Sequence, residues 1–169
     1  MPFSFDVKIL KSGLAATALV GLASSGAYAA STTFDATANI QTAISIVNSA
    51  NLNFANIVPD PITAGAVIVN TSGGRTCDPA LSCSGTTAAA AFDVTGTSGA
   101  TYALTLPTSA NITSGANTML VDTFVSSIGA TGTLAGGAES FNIGGTLNVG
   151  AAQPTGAYAG TFTVNVEYN

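Results

Sequence analysis

The chain has 169 residues, a length that suits a single domain. Only 7% of the residues are charged, His and Trp are absent, and Asp and Glu outnumber Lys and Arg by eight to three. A hydrophobic fraction of 47% with so little charge is typical of a folded chain and excludes a disordered one. Nucleic acid and anionic membrane surfaces are also excluded as partners, because phosphate binding relies on several Lys or Arg.

The first 29 residues have the features of a bacterial signal peptide. Lys8 and Lys11 form a short basic region, residues 14–23 form an apolar run, and the Ala-Tyr-Ala sequence at 27–29 matches a signal-peptidase site. The apolar run is too short for a membrane anchor, which needs about 20 such residues. We therefore expect export through the periplasm. The mature chain would begin near Ala30 with a charge of one minus seven, or −6.

From residue 30 onward, short alternating runs are separated by Gly, Pro, Ser and Asn, and no stretch sustains a helical period. Such runs predict β-strands. We expect eight of them, at 34–46, 52–57, 66–70, 89–95, 101–106, 118–126, 140–149 and 158–168. Many short strands with turns between them predict an all-β, antiparallel sandwich, which we expect to occupy residues 42–169 as one domain.

Two cysteines close a short segment between the third and fourth predicted strands. Cys77 and Cys83 flank five residues, one of which is Pro79. In the oxidising compartment outside the cytoplasm, this spacing favours a disulfide that pins a local loop over a metal site or free thiols. A metal site would need further ligands, and the chain offers no His and no third Cys.

The last predicted strand alternates along its whole length. We expect the odd-numbered positions of this strand to face solvent, and these are Ala159, Thr161, Thr163, Asn165 and Glu167. The other positions share one face, which we expect to face the core: Tyr158, Gly160, Phe162, Val164, Val166 and Tyr168.

Residues 156–169, which read GAYAGTFTVNVEYN, resemble the C-terminal signature of chaperone–usher pilins. In that family a Gly stands fourteen places from the end and a Tyr is penultimate, and here Gly156 and Tyr168 occupy these places. Residues 52–57, 99–107 and 144–150 are similar to a bacterial family of secreted proteins known only as a domain of unknown function. That family is related to archaic pilins and spore-coat-type proteins.

The resemblance to pilins implies an immunoglobulin-like sandwich that lacks its last strand and assembles into a surface fibre by β-strand exchange. The partners that it implies are copies of the chain or related subunits, a periplasmic chaperone and an outer-membrane usher. The chaperone and the next subunit would dock along one set of C-terminal residues: Gly156, Tyr158, Phe162, Val164, Val166 and Tyr168.

The same mechanism needs a donor strand, and residues 30–41 are the candidate. Apolar side chains alternate with polar ones here, at Phe34, Ala36, Ala38 and Ile40. Side chains at this spacing can enter the groove of a neighbouring subunit. They can equally form the first strand of the chain's own sandwich, because periodicity does not decide whose sheet a strand joins.

Groups for catalysis are scarce beyond the predicted signal peptide. That part of the chain has no His and no Lys, and Arg75 is its one cation, so we expect no enzyme, no cofactor and no metal. Two functions then remain, a fibre subunit and a monomeric cell-surface or secreted binding module for carbohydrate or protein. Sugar-binding modules usually present aromatic platforms, whereas Tyr158 and Tyr168 lie on the predicted core face. The composition therefore favours the fibre subunit.

Overall fold

The computed structural model describes residues 29–169, so the predicted signal peptide, apart from Ala29, lies outside the described residues. The chain separates into two compact units, Met1–Ala38 and Asn39–Asn169. In the first unit, residues 29–38 form no strand and no helix. All of the strands given below belong to the second unit.

The second unit is built from strands and one short 3-10 turn at Ala135–Gly137. The strands are β1 Ser45–Ala50, β2 Asn56–Val58, β3 Gly65–Val69, β4 Arg75–Cys77, β5 Ser82–Ser84, β6 Ala90–Thr95, β7 Thr101–Thr105, β8 Ser109–Ser114, β9 Asn117–Ser126, β10 Thr131–Thr133, β11 Ala138–Val149 and β12 Asn165–Tyr168. All of their pairings are antiparallel. The predicted all-β fold class is confirmed.

The longest strand, β11, organises the larger sheet. It pairs with β6 along its first half, with β3 along its second half, and with β9. β9 pairs with residues of β11 that also pair with β6 or with β3. β9 therefore lies on one side of β11, and β6 and β3 follow one another along its other side. The sheet of seven strands is completed by β1 on β6, β4 on β3 and β8 on β9.

A second sheet has three strands in the order β10-β7-β12, and β2 pairs with β5 in a small third sheet. The two larger sheets pack face to face. The interior has two hydrophobic clusters, and the second of them joins Val94 and Phe141 of the seven-stranded sheet to Tyr102 and Leu104 of the three-stranded one. This packing makes the second unit a β-sandwich, with β12 at the edge of its smaller sheet.

The first hydrophobic cluster lies towards the other end of β11. It contains Val67, Val121 and Leu147, and the disulfide loop contributes Leu81. Leu52 and Phe124 pack against both clusters, so the interior of the sandwich is continuous.

Five of the predicted strands are confirmed to within two residues, namely those at 66–70, 89–95, 101–106, 118–126 and 140–149. The prediction at 34–46 is wrong over most of its length, because the first strand begins only at Ser45. The predicted strand at 52–57 is reduced to one bridge between Asn53 and Ala88 and to the start of β2. The predicted strand at 158–168 is regular only from Asn165.

Four strands were not predicted, β4, β5, β8 and β10. Three of them have only three residues, and β8 reads Ser-Ala-Asn-Ile-Thr-Ser, which carries a single large apolar side chain. β4, β8 and β10 pair with longer strands that present their backbone to them, and β5 pairs with the equally short β2. Pairing of this kind needs little hydrophobic pattern in the short strand itself. Within the described residues, no helix is long and apolar enough to cross a membrane.

Candidate functional site

An open groove of about 800 Å³ runs along one side of the second unit. One wall is formed by residues 51–57 and the other by residues 153–162. The floor is made mostly of apolar side chains from four strands, which are Ala90, Phe92, Ile112, Met119, Leu147 and Val149. An apolar floor between two walls of irregular backbone can seat an extended peptide.

The first wall follows directly from β1. Asn53 exchanges two backbone hydrogen bonds with Ala88, of 2.9 and 3.0 Å, and its side-chain oxygen accepts the N–H of Ala55 at 2.8 Å. Ala55 has a positive φ of 60°, and this short turn leaves Phe54 pointing inwards and buried. The wall is thus anchored through Phe54 and Asn53, while other backbone groups of the wall border the groove.

A disulfide supports this wall from behind. Cys77 and Cys83 are joined as the sequence predicted, and both pack against the first hydrophobic cluster. Cys83 lies in β5, opposite Ile57 of β2, which lines the groove. The guanidinium of Arg75 donates hydrogen bonds to three carbonyl oxygens at residues 83–85, at 3.1 to 3.3 Å. The bridge therefore ties the groove wall to β4 of the seven-stranded sheet.

The second wall, residues 153–162, is held by side-chain hydrogen bonds and one backbone bridge. The Gln153 amide donates to the Thr118 carbonyl at 3.2 Å and to the Tyr158 hydroxyl at 2.9 Å. The Tyr158 hydroxyl in turn donates to the Pro154 carbonyl at 2.8 Å. Beyond them, Ala159 bridges to Thr113 of β8 through two backbone hydrogen bonds of 2.8 and 3.0 Å. Few bonds hold this wall compared with a regular strand.

Two glycines let the second wall lie close to β8. A Cβ at Gly156 would overlap the Ser114 side chain, and a Cβ at Gly160 would lie 2.6 Å from the Asn111 carbonyl oxygen. The predicted placement of Gly160 on the core face is therefore wrong. Gly160 is exposed, and its role is to permit close approach of two backbones.

Residues 160–164, of which 160–162 line the groove, have no backbone partners. Among the described residues, none makes a backbone–backbone hydrogen bond with any residue of this run. The run continues into β12, which pairs with β7 alone and is the edge strand of its sheet. The second wall and β12 together therefore present a sheet edge of unpaired N–H and C=O groups.

The side chains of this edge alternate as predicted. Phe162 packs against the first cluster, with its ring centroid 5.2 Å from that of Phe124, and Val164, Val166 and Tyr168 pack against the second cluster. All four are half-buried, and the intervening residues are exposed. Of the predicted contact residues, Gly156, Tyr158 and Phe162 line the groove, Val164 directly precedes β12, and Val166 and Tyr168 lie in it.

The predicted donor segment, residues 30–41, forms no strand, and each of its residues is exposed. Phe34 has 88% of its surface exposed and Ile40 has 93%. Ala36 and Ala38, the other two predicted donor positions, are exposed as well. Two large apolar side chains at donor spacing are thus left uncovered.

The titratable groups with shifted pKa values lie outside the groove lining. The Asp60 carboxylate accepts the N–H groups of Ile62 and Thr63 at 2.8 and 2.7 Å, and these bonds hold its pKa below the usual range. Tyr102 is fully buried, and its hydroxyl lies near the Glu139 carboxylate without making a hydrogen bond of good geometry to it. Burial, and after it the neighbouring Glu139 carboxylate, raises the pKa of Tyr102. No group of three or more His, Cys, Asp or Glu is placed to hold a metal within residues 29–169.

Sequence reasoning missed most of the groove. Residues 52–57 alternate and were expected to form a strand, whereas residues 153–155 carry no alternation, and the further signals in these two stretches are the Asn residues at 51, 53 and 56 and the Pro at 154. These residues mark loops, but they do not say which loops lie beside one another in the fold.

A family model described as a domain of unknown function, DUF4402, matches residues 44–168. The matched region begins just before β1 and ends with β12, so it includes both walls of the groove and the whole unpaired edge. No curated protein and no solved structure matches the chain significantly.

Proposed function

This chain belongs to the DUF4402 family, and we propose that it is a structural subunit of a bacterial surface fibre in which neighbouring subunits exchange β-strands. In this proposal the groove and the edge beside it accept a strand. The strand comes from residues 30–41 of another copy or of a related subunit.

The observation that carries the proposal is the unpaired backbone of residues 160–164 beside the groove. An exposed sheet edge next to an apolar groove lacks one strand, and strand addition supplies both the missing hydrogen bonds and the missing side chains. The half-buried state of Phe162 and Val164 agrees with this reasoning, because an added strand would cover their exposed sides.

The donor and the acceptor agree in length and in chemistry. The donor positions from Phe34 to Ile40 span about 20 Å when extended, and the edge at 160–168 spans about 26 Å. Phe34 and Ile40 are the large apolar side chains of the donor, and Ala36 and Ala38 between them suit a shallow part of the groove. Burial of exposed apolar surface at both ends drives the association.

Assembly at the cell surface needs protection of the edge during export. We propose that a periplasmic chaperone lends a strand to the same edge first, and that an outer-membrane usher orders the exchange. The predicted signal peptide supports this route, as do Gly156 and Tyr168 in the places that the pilin signature requires.

A monomeric binding module is the competing function. Its usual aromatic platform has little support among the described tyrosines, since Tyr102 is buried and the hydroxyls of Tyr158 and Tyr168 are engaged within the chain.

The test compares the full chain with a variant that lacks residues 30–40, on detergent gels run without boiling, because strand-complemented assemblies resist dissociation. We expect a ladder of oligomers from the full chain and a folded monomer from the variant. A synthetic peptide of residues 30–41 should bind that monomer in a one-to-one complex. The same peptide with Asp at positions 34 and 40 should not. A full chain that stays monomeric, even with chaperone supplied, would overturn the proposal and leave the binding module.

A further inference from the structure

The hydroxyl of Tyr168 joins three distant parts of the chain. It donates a hydrogen bond to the Thr42 carbonyl oxygen at 2.7 Å, and it accepts the backbone N–H of Thr97 at 2.7 Å. Tyr168 is the last residue of β12, Thr97 lies in the turn between β6 and β7, and Thr42 precedes β1. The ring itself packs in the second hydrophobic cluster, so the hydroxyl is held at a fixed point.

The surroundings of this hydroxyl are shaped to receive it. A Cβ at Gly96 would overlap the Tyr168 hydroxyl, so only glycine leaves the space that the hydroxyl occupies. The Thr97 side-chain oxygen accepts the N–H of Thr42 at 2.9 Å. Both backbone polar groups of Thr42 are therefore held, one by Tyr168 and one by Thr97.

Thr42 is where the exposed N-terminal segment meets the sandwich. The residues before it, from 29 to 41, are exposed and form no strand, whereas Ile44 and Ile46 just after it pack against the second cluster. The backbone hydrogen bonds at Thr42 thus fix the position of the first sandwich residue after the donor segment.

We propose that Tyr168 is a positioning residue that couples the acceptor edge of a subunit to Thr42, the residue that directly follows its own donor segment. This inference rests on the proposed strand exchange. When a donor strand pairs with the free edge of β12, it orders β12 as far as Tyr168. The Tyr168 hydroxyl then holds Thr42 in place through its hydrogen bond to the Thr42 carbonyl oxygen. A subunit whose groove is filled then holds the end of its own donor segment in a fixed place, at Thr42. A growing fibre therefore adds the next subunit more readily than two free subunits associate.

The experiment uses a full-length parent carrying Phe34→Asp and Ile40→Asp, which removes the apolar donor side chains and leaves the groove intact. The synthetic peptide of residues 30–41, with the natural sequence, fills the groove. Amide hydrogen exchange at Thr97 reports the bond to Tyr168 directly, and exchange at Thr42 reports whether the backbone just after the donor segment is held in place. In the parent, we expect the peptide to slow exchange at Thr42 by about two- to tenfold, the range that one net hydrogen bond supports.

Tyr168→Phe in this parent keeps the ring and removes both hydrogen bonds of the hydroxyl. We expect peptide affinity within threefold of the parent, faster exchange at Thr97, and no slowing at Thr42 when the peptide binds. Gly96→Ala should have the same effect, because the added methyl displaces the hydroxyl. Ser140→Ala is the matched control, since it removes a hydroxyl that donates a 2.6 Å hydrogen bond to Asp93 on an exposed face of the seven-stranded sheet, away from the groove lining, and Thr42 should respond to the peptide as in the parent.

A coupling role and a purely structural role differ in a second measurement. Placed alone in the natural chain, with its donor intact, Tyr168→Phe should give shorter oligomer ladders even though its groove binds the peptide normally. If the peptide binds and slows exchange at Thr42 equally in the parent and in Tyr168→Phe, the coupling is wrong while strand exchange stands. If the peptide binds to no variant, strand exchange itself is wrong and the coupling is overturned with it.

Discussion

The double substitution Phe34→Asp and Ile40→Asp separates donation to a neighbour from packing within the same subunit. With 88% of Phe34 and 93% of Ile40 exposed, no more than about an eighth of either side chain is covered. Full burial of such a side chain is worth about 1.5–3 kcal/mol. Its present contribution to the stability of the monomer is therefore below about 0.5 kcal/mol.

If a neighbour's groove buries both side chains, their loss should weaken association by about 3–6 kcal/mol, or two to four orders of magnitude in the association constant. We expect the double variant to unfold in urea at the same denaturant concentration as wild type, and to show no oligomer ladder on unheated detergent gels. Sedimentation at increasing protein concentration measures the change in association.

Two control variants frame this result. Thr37→Ala changes an intervening donor position and should assemble like wild type. Phe54→Ala changes a side chain that is only 9% exposed and should destabilise the monomer by about 3–5 kcal/mol. A loss of more than about 2 kcal/mol of monomer stability in the double variant would mean that Phe34 and Ile40 pack within their own subunit. Normal ladders from the double variant would show that residues 30–41 are not the donor.

Three further predictions concern single side chains. Tyr102→Phe should raise the free energy of unfolding by about 1–3 kcal/mol, because the hydroxyl is buried without a partner. Wild type should also lose stability relative to this variant above about pH 10, where tyrosine ionises in the unfolded chain while burial keeps Tyr102 neutral in the folded one. Gly160→Ala should cost about 1–3 kcal/mol in urea unfolding, because its Cβ meets the Asn111 carbonyl. The Asp60 carboxylate should hold the Ile62 amide above about pH 4 and release it as the pH falls through its lowered pKa, which hydrogen exchange detects.

Each of the three has a clear contrary result. A less stable Tyr102→Phe variant at neutral pH would mean that the hydroxyl has a favourable partner in the folded chain. Wild-type stability in Gly160→Ala would mean that the second wall does not need its close approach to β8. Exchange at Ile62 that is equally fast in wild type and Asp60→Ala near neutral pH would mean that the carboxylate does not hold this loop.

The two longest strands, β9 and β11, were predictable because their own sequences carry many large apolar side chains. Residues 140–149 carry Phe141, Ile143, Leu147 and Val149 at alternate positions, residues 118–126 are rich in Met, Leu, Val and Phe, and β11 and β9 follow these segments to within two residues. The disulfide was also predictable, since two cysteines six positions apart leave few alternatives in a chain that is predicted to be exported. These features depend mainly on local sequence.

The groove was not predictable, because it is made by residues that share no local pattern. The first wall and the second wall are separated by about a hundred residues of sequence, and they meet across strands that the sequence left out, such as β8. Only the fold brings Gln153 to the Thr118 carbonyl, and no property of either residue alone indicates that contact.

The two segments that departed most from prediction are the two that the proposed mechanism uses. Residues 34–40 and 158–164 both alternate as a strand does, and neither is part of a regular strand in the isolated chain. A period of two shows that a segment has one apolar and one polar face, but it does not supply the backbone partner that makes the segment a strand. Folding of the subunit alone does not require an apolar face at residues 34–40, because Phe34 and Ile40 are exposed to solvent. In the proposed mechanism a partner outside the subunit gives the reason for this apolar face, because residues 34–40 of one chain would supply the backbone partner that the edge beside residues 160–164 of another lacks.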